Sequence, residues 1–462
     1  MESASWEQNF GDCQLGDLRL NRRALSIGEA LSQKFGQALS TVFDSAKELK
    51  RAYAFLANAK TSFAKIIAPH CKITASSVSE EVFILSVGDT TYLDYRAILE
   101  KKDGYGSQGS GGNGLLLHSA LAVDPKQGQP RGLLWQKVWN RPHSIKPPSD
   151  ETPEQKKQRR AKTRKEKRGQ PFEAKESYRW VEAMTTVAKQ IPPTTRVIHV
   201  FDREGDISEV FDKVNQLTHT GVVVRAAHDR SLTADPHRLW EKLETQPIQG
   251  YHDVELSQTK THTARIAKLA VRFCQVQLRP PARLGKDTQL PVYAVYAHEV
   301  DCPEAEEPIS WMLLTSEAVT TVEEAITILR WYSYRWRVEE YHKLLKSGCQ
   351  VERFRLAAEG MKPLLGFLSV IAADLLRLTY LQRTQPEMPA EAVLNIIQME
   401  VLKAKSPQLP KSLTVAWAVQ AIARLGGYLE HRRKTPIGIQ VLWRGWAKLH
   451  DLVEGWQLAA QT

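Results

Sequence analysis

Between residues 15 and 65 the apolar positions recur every three to four residues. In LGDLRLNRRALSIGEALSQKFG they form one stripe, with Arg19, Arg22 and Arg23 on the other side, and SAKELKRAYAFLANAKTSFAKII repeats the pattern. Such a period predicts amphipathic helices. The texture changes near residue 82. VFILSVGD (82–89) is a short apolar run with β-branched residues and a late glycine, which predicts a buried strand ending at Asp89. GLLLHSALAVD (114–124) and RGLLWQKVWN (131–140) predict two antiparallel strands joined by a turn. A helix is expected over 175–191, a buried strand over RVIHVFD (196–202), a helix over 206–217 and a third buried strand over GVVVRA (221–226). From about 230 to 310 short strands alternate with Pro-rich and Gly-rich breaks, and WMLLTSE (311–317) adds one more. TVEEAITILRWYSYRWRVEEYHKLLKSG (321–348) reads as a single long helix closed by Gly348. Beyond 350 the period is helical to the end.

This order of elements is α/β. It resembles an RNase H-like core, a mixed sheet flanked by helices, with a mainly β insertion before its last helix and helical regions at both ends. The expected divisions are a helical region over 1–68, an α/β region over 69–375 with its insertion at about 230–310, and a helical region over 376–462.

Composition narrows the function. Hydrophobic residues make up 42% of the 462, as in soluble globular proteins. No apolar run is read as reaching the length of a membrane span, and MESASWEQNFGD lacks the regions of a signal peptide. Five scattered cysteines without a C-x-x-C pair argue against a disulfide framework and a zinc site, and fit a reducing cytoplasm. The net charge of +11 favours a polyanionic partner. Residues 155–168, QKKQRRAKTRKEKR, hold nine basic side chains and one acidic, so this run carries +8 of that excess. It reads either as a solvated mobile loop or as an arm that contacts phosphates.

Two aspartates end predicted strands: Asp89 in GDTTYLDY and Asp202 before REGD. Reacting groups in α/β sheets gather beyond the carboxyl ends of strands. Two carboxylates on neighbouring strands stay ionised together only around a cation, and hard oxygen ligands suit Mg²⁺ or Mn²⁺. A lone aspartate at such a place is more simply a helix cap or turn residue. At about 100° per residue, a continuous helix puts Tyr332, Arg335, Glu339, Lys343 and Lys346 on one polar stripe, and Glu340 outside it. That stripe is either a solvated face with i,i+4 ion pairs or a third carboxylate, Glu339, set among cations that hold phosphates.

The spacing Tyr332-x2-Arg335-x3-Glu339-x6-Lys346 resembles the Y-R-E-K signature of bacterial DDE transposases. Within that group the chain resembles the cut-and-paste, hairpin-forming transposases of the transposon-five type. GDTTYLDY, FDREGDI, VVVRA, WMLLTSE, YRWRVEEYHK and IARLGGYLE…LWRGWAKL are similar to that family's blocks and stand in its order. The resemblance implies that Asp89, Asp202 and Glu339 are catalytic carboxylates holding two Mg²⁺ ions, with Mn²⁺ as a substitute. It implies nicking of one strand at the transposon end, attack of the freed hydroxyl on the opposite strand to form a hairpin, hydrolysis of the hairpin, and joining to target DNA. Tyr332, Arg335, His342, Lys343 and Lys346 then hold the DNA backbone. Trp311 and Trp336 match base-holding tryptophans, and Arg225 matches a DNA-contacting arginine. Arg19 and Arg23 match basic residues of the N-terminal DNA-binding region. Ala54 stands where the family pattern has a basic residue, so recognition of the end sequence is expected to differ. The C-terminal apolar face of Leu442, Trp446, Leu449, Val453 and Trp456 reads as core or, by the resemblance, as the dimer contact that pairs two DNA ends in a synaptic complex.

Gly104-x-Gly106-x-x-Gly109 spells a dinucleotide fingerprint, but it leads into a strand rather than a helix and reads as a loop near the active site. Rival readings are a metal-dependent nuclease on the same fold and a non-catalytic DNA-binding protein derived from a transposase. The resemblance implies a prokaryotic protein acting on DNA in the cytoplasm, away from membranes.

Overall fold

A computed structural model describes residues 6–34, 36–98, 103–107, 112–142, 150–256, 263–285, 287–304, 306–429 and 437–460, apart from the side chain of Lys167. The chain divides into two compact units, 1–140 with 336–462, and 141–335.

The first unit begins with four helices: α1 (Leu18–Gln33), α2 (Leu39–Val42), α3 (Ala46–Leu56) and α4 (Phe63–Ser77). Asp17, Ser45 and Ser62 cap α1, α3 and α4 through side-chain oxygens. Three antiparallel strands follow, β1 (Phe83–Asp94), β2 (Gly114–Val123) and β3 (Pro130–Trp139), with β2 in the middle. Every residue of β2 is buried.

In the second unit, α5 (Pro153–Gly169) precedes α6 (Tyr178–Gln190), β4 (Arg196–Phe201), α7 (Ser208–Gln216), β5 (Thr220–Arg225) and α8 (Leu239–Glu244). Then come β6 (Gly250–Leu256), β7 (Arg265–Leu278), β8 (Leu290–Val300), β9 (Ser310–Thr315) and α9 (Val322–Ser333). The strand order here is β4-β5-β9-β8-β7-β6, with β4 and β5 parallel and the remaining pairs antiparallel. The β insertion therefore extends the sheet beyond β9. Trp180, Phe201, Phe211, Val222 and Leu314 anchor this unit's core.

The first unit resumes with α10 (Trp336–Lys343), α11 (Ala358–Thr384), α12 (Ile396–Lys405), α13 (Val415–Leu425) and α14 (Ile439–Ala459). α11 packs against α3, α4, β3, α13 and α14. It also corrects the membrane reading. An 18-residue window within it has mean hydropathy 1.7, enough by length and composition to cross a membrane, but 89% of that window is buried inside the fold. It is a core helix.

Four further expectations change. β1 runs five residues past Asp89, because Thr90, Thr91, Tyr92 and Leu93 favour strand and pair with β2 through Asp94 opposite Gly114. Asp89 is therefore a mid-strand residue. The single helix over 321–348 is broken. Ser333 Oγ donates to the Arg330 carbonyl at 2.7 Å, and the Arg335 N–H bonds Tyr332 three residues back. Aromatic and hydroxyl side chains of low helix propensity allow this tightened turn. After Lys343 the coil widens, with the Cys349 N–H reaching the Leu344 carbonyl, which buries Leu344, Leu345 and Cys349 together. Gln350, at φ 51°, makes the left-handed exit in place of Gly348. Lastly, the basic run 155–168 is helical. Thr152 and Gln155 form a capping box and Pro153 opens the first turn. Gly104 adopts φ 79° and Gly106 bridges Gly114, while Gly109 of the same loop lies outside the described residues.

Candidate active site

In the first unit, α10 packs on β1 and β2. Asp89 on β1 stands opposite Ser119 on β2, and both meet His342 of α10. His342 Nε2 lies 3.1 Å from Ser119 Oγ, and Nδ1 lies 3.6 Å from the Asp89 carboxylate. Gln136 on β3 donates to Ser119 Oγ at 2.9 Å and to the Tyr341 hydroxyl at 2.9 Å. Burial pushes the Tyr341 hydroxyl far above its usual range, so it remains neutral here. A buried chain of polar groups thus runs from Tyr341 through Gln136 and Ser119 to His342, beside Asp89, whose side chain is 20% exposed.

Glu339 is half-buried in the first turn of α10, one turn before His342. At about 100° per residue it lies some 60° from His342, whereas Glu340 lies some 160° away. Glu340 accepts a hydrogen bond from the buried Tyr380 hydroxyl on α11, and Arg337 approaches it at 3.9 Å. The two adjacent glutamates therefore have different surroundings. Lys343 is exposed. Lys346 lies 4.0 Å from Glu352, which accepts the Asp94 N–H. Burial raises the Asp94 carboxyl, but its hydrogen bonds from Arg96 outweigh that and hold it below the usual range.

The second unit gathers another set. Asp202 directly follows β4 and accepts the Glu204 N–H at 2.9 Å, so it caps the short turn that follows. Its acidic neighbours have cationic partners: Glu204 pairs with Arg179 and Asp206 with Arg230. Arg225, the last residue of β5, donates to the Ser310 carbonyl at 3.0 Å. The half-buried Trp311 meets Tyr332 edge-on at 5.5 Å, and the Arg335 guanidinium lies 5.8 Å from the Tyr332 ring centre. Tyr332 is 3% exposed and Arg335 9%. Since the helix breaks between them and Glu339, the stripe from Tyr332 to Lys346 cannot be counted on one helical wheel. Trp336, the first residue of α10, is 53% exposed.

At the N-terminus Arg19 is exposed and paired with Asp17 at 3.1 Å. Arg23 instead ties α1 to α3 through Glu48, at 2.6 Å to the carboxylate and 3.0 Å to the carbonyl. Together with Arg51 it holds the Glu48 carboxyl below its usual range.

Two family models match this chain. Residues 3–61 match the family described as transposase DNA-binding, and residues 134–359 match the transposase DDE domain. The chain carries the two domains of a DDE-family transposase. Its α/β core is RNase H-like, with helical regions at both ends. The DDE match includes Asp202 and Glu339 and begins beyond Asp89. The DNA-binding match covers α1 to α3 and so includes Arg19 and Arg23.

DDE transposases use divalent metal ions. Hard carboxylate oxygens, such as those of Asp89 and Glu339 in the first unit and of Asp202 in the second, are the donor type that suits such ions. Among the described residues no three His, Cys, Asp or Glu side chains already stand close enough to hold a metal. The polar chain through Ser119 and Gln136 is not among the residues singled out from sequence. Its signal is a serine and a glutamine placed inside two mainly apolar strands.

Proposed function

We propose that this transposase excises its element through a hairpin intermediate and joins the freed ends to target DNA. The observation that carries this reading is the DDE match around Glu339, on a helix whose His342 touches Asp89. Asp89, Asp202 and Glu339 act as the catalytic carboxylates and would hold Mg²⁺, two ions per site, with Mn²⁺ able to substitute. When bound, these ions supply Lewis-acid stabilisation of the phosphate oxygens during in-line displacement.

The remaining roles belong to the protein's own groups. His342, buried between Asp89 and Ser119, positions the Asp89 carboxylate. Lys343 and Lys346 neutralise backbone phosphates as point charges, and Arg335 does so through its planar fork. Tyr332, buried against Trp311, supports that fork from below. The exposed Trp336 supplies a stacking surface for a base displaced at the hairpin, with Trp311 as its counterpart. Such stacking returns about 1–3 kcal/mol per base, comparable to the unstacking cost. Arg225 adds a contact to the DNA backbone, as do Arg19 and Arg23 at the transposon end. Two subunits pair two ends. Trp456 and Leu458, exposed at the end of α14, are the apolar groups suited to that contact, whereas Leu442 and Leu449 are buried within the subunit.

The test is incubation with Mg²⁺ and a linear duplex bearing the element's own inverted repeats. Nicked, hairpinned and joined products are expected in that order. Nicks without hairpins or joined products would instead identify a nuclease on the same fold.

A further inference from the structure

α5 is a 17-residue helix in which every described side chain is exposed. Its sequence, PEQKKQRRAKTRKEKRG, gives it no apolar face to bury. Most helical stability in proteins comes from packing of an apolar face, which this helix lacks. Capping by Thr152, Gln155 and Pro153 favours this one, as does the pair of Arg159 with Glu151 at 2.5 Å. Against it stands a column of like charges at i,i+4 spacing, Lys156, Arg160, Arg164 and Arg168, each neighbouring pair costing a few tenths of a kcal/mol.

The placement of these charges is not uniform. At about 100° per residue, Lys156, Lys157, Arg160, Arg164 and Arg168 fall within an arc of about 120°, and Glu154 and Glu166 fall outside it. At about 1.5 Å per residue the stripe is about 18 Å long. One strand of duplex DNA presents a phosphate about every 3.4 Å of axis, so the stripe matches about five phosphates. Among the described residues, Arg159 is the basic side chain of α5 that has an ion-pair partner, and it lies off the stripe.

We propose that α5 is a sequence-independent clamp for target DNA, its basic stripe lying along the phosphates of one strand. The charge complementarity specifies the partner as a nucleic-acid backbone. Contacts to phosphates position a duplex without reading its sequence. The end sequence falls to the DNA-binding segment matched over residues 3–61, which α5 lies outside. A target of arbitrary sequence needs the kind of surface that α5 provides. The word target rests on the transposase reading above.

The experiment compares the full-length protein with a variant carrying Lys156→Gln, Lys157→Gln, Arg160→Gln, Arg164→Gln and Arg168→Gln. Binding to a random-sequence duplex and to the end duplex is measured from 50 to 200 mM salt, alongside nicking and strand transfer in Mg²⁺. For the random duplex the slope of log affinity against log salt should fall by about 4 to 5, since each phosphate contact contributes about 0.9. End-specific binding and nicking should remain at the wild-type level, and strand transfer should fall at least tenfold. An unchanged slope and unchanged strand transfer would overturn the proposal. Loss of end binding with the random-duplex slope intact would also overturn it, by assigning α5 to the end. If the wild-type protein joins no ends at all, the transposase reading fails instead, while the salt slopes still decide whether α5 grips a duplex.

Discussion

Replacing each member of the Glu339–Glu340 pair by alanine should separate chemistry from stability. Glu340→Ala removes the acceptor of the Tyr380 hydroxyl, which is buried on α11, and a neighbour of Arg337. An abandoned buried hydroxyl costs about 1–3 kcal/mol. Glu340 has a side chain 40% exposed, so water can reach that place and the lower end applies, about 1 kcal/mol. The thermal midpoint should fall by about 2–4 °C. Nicking of the end duplex should persist. Glu339→Ala should abolish nicking, a loss of about 10³-fold or more, as expected when transition-state charge stabilisation is removed. Glu340→Gln, which keeps an acceptor for Tyr380, should restore the midpoint. Differential scanning fluorimetry and a denaturing gel of nicked products read both effects. If Glu340→Ala were the inactive variant, the assignment by orientation on α10 would be wrong.

Three other outcomes are expected. Trp336→Ala should keep the wild-type midpoint, because the side chain is 53% exposed, yet reduce hairpin formation about 5- to 150-fold, the equivalent of 1–3 kcal/mol of stacking; an unchanged hairpin yield on a gel would remove Trp336 from base holding. Burial lowers the His70 and His450 rings to about 4 and His199 to about 3, so these rings stay neutral when folded while the unfolded chain takes up protons below about 6.5. Stability should therefore fall as pH drops from 7 to 5, by about 2 kcal/mol per histidine, and flat unfolding midpoints over that range would contradict it. Gly445→Ala would place a Cβ 1.8 Å from the Ile422 carbonyl oxygen where α14 crosses α13, and should destabilise by about 1–3 kcal/mol or more in urea unfolding; tolerance would mean that the two helices can separate there.

The alternation of helical and strand periods was enough to order the elements, because burial on one face imposes a period of 3.6 or 2 wherever the element is packed. The helical N-terminus, the strands around residues 85, 119, 135, 198 and 223, and the α/β class all follow from that. Local pattern could not determine where β1 stops, since that depends on whether β2 offers partners as far as Gly114. Nor could it show the break at Ser333–Arg335. An amphipathic count assumes a constant 100° per residue, and here a serine bond to a carbonyl and the burial of two aromatics alter the turn.

The sequence by itself determined the acidic and basic residues available and the +8 run, because these are chemical identities that folding cannot change. The tertiary structure decided which of them have protein partners. It turned Glu340 toward Tyr380, joined Arg23 to Glu48, buried His342 between Asp89 and Ser119, and left the stripe of α5 in solvent. The physical reason is that a charge's role depends on what lies within a few ångströms of it, and those neighbours come from elements that are distant in the chain.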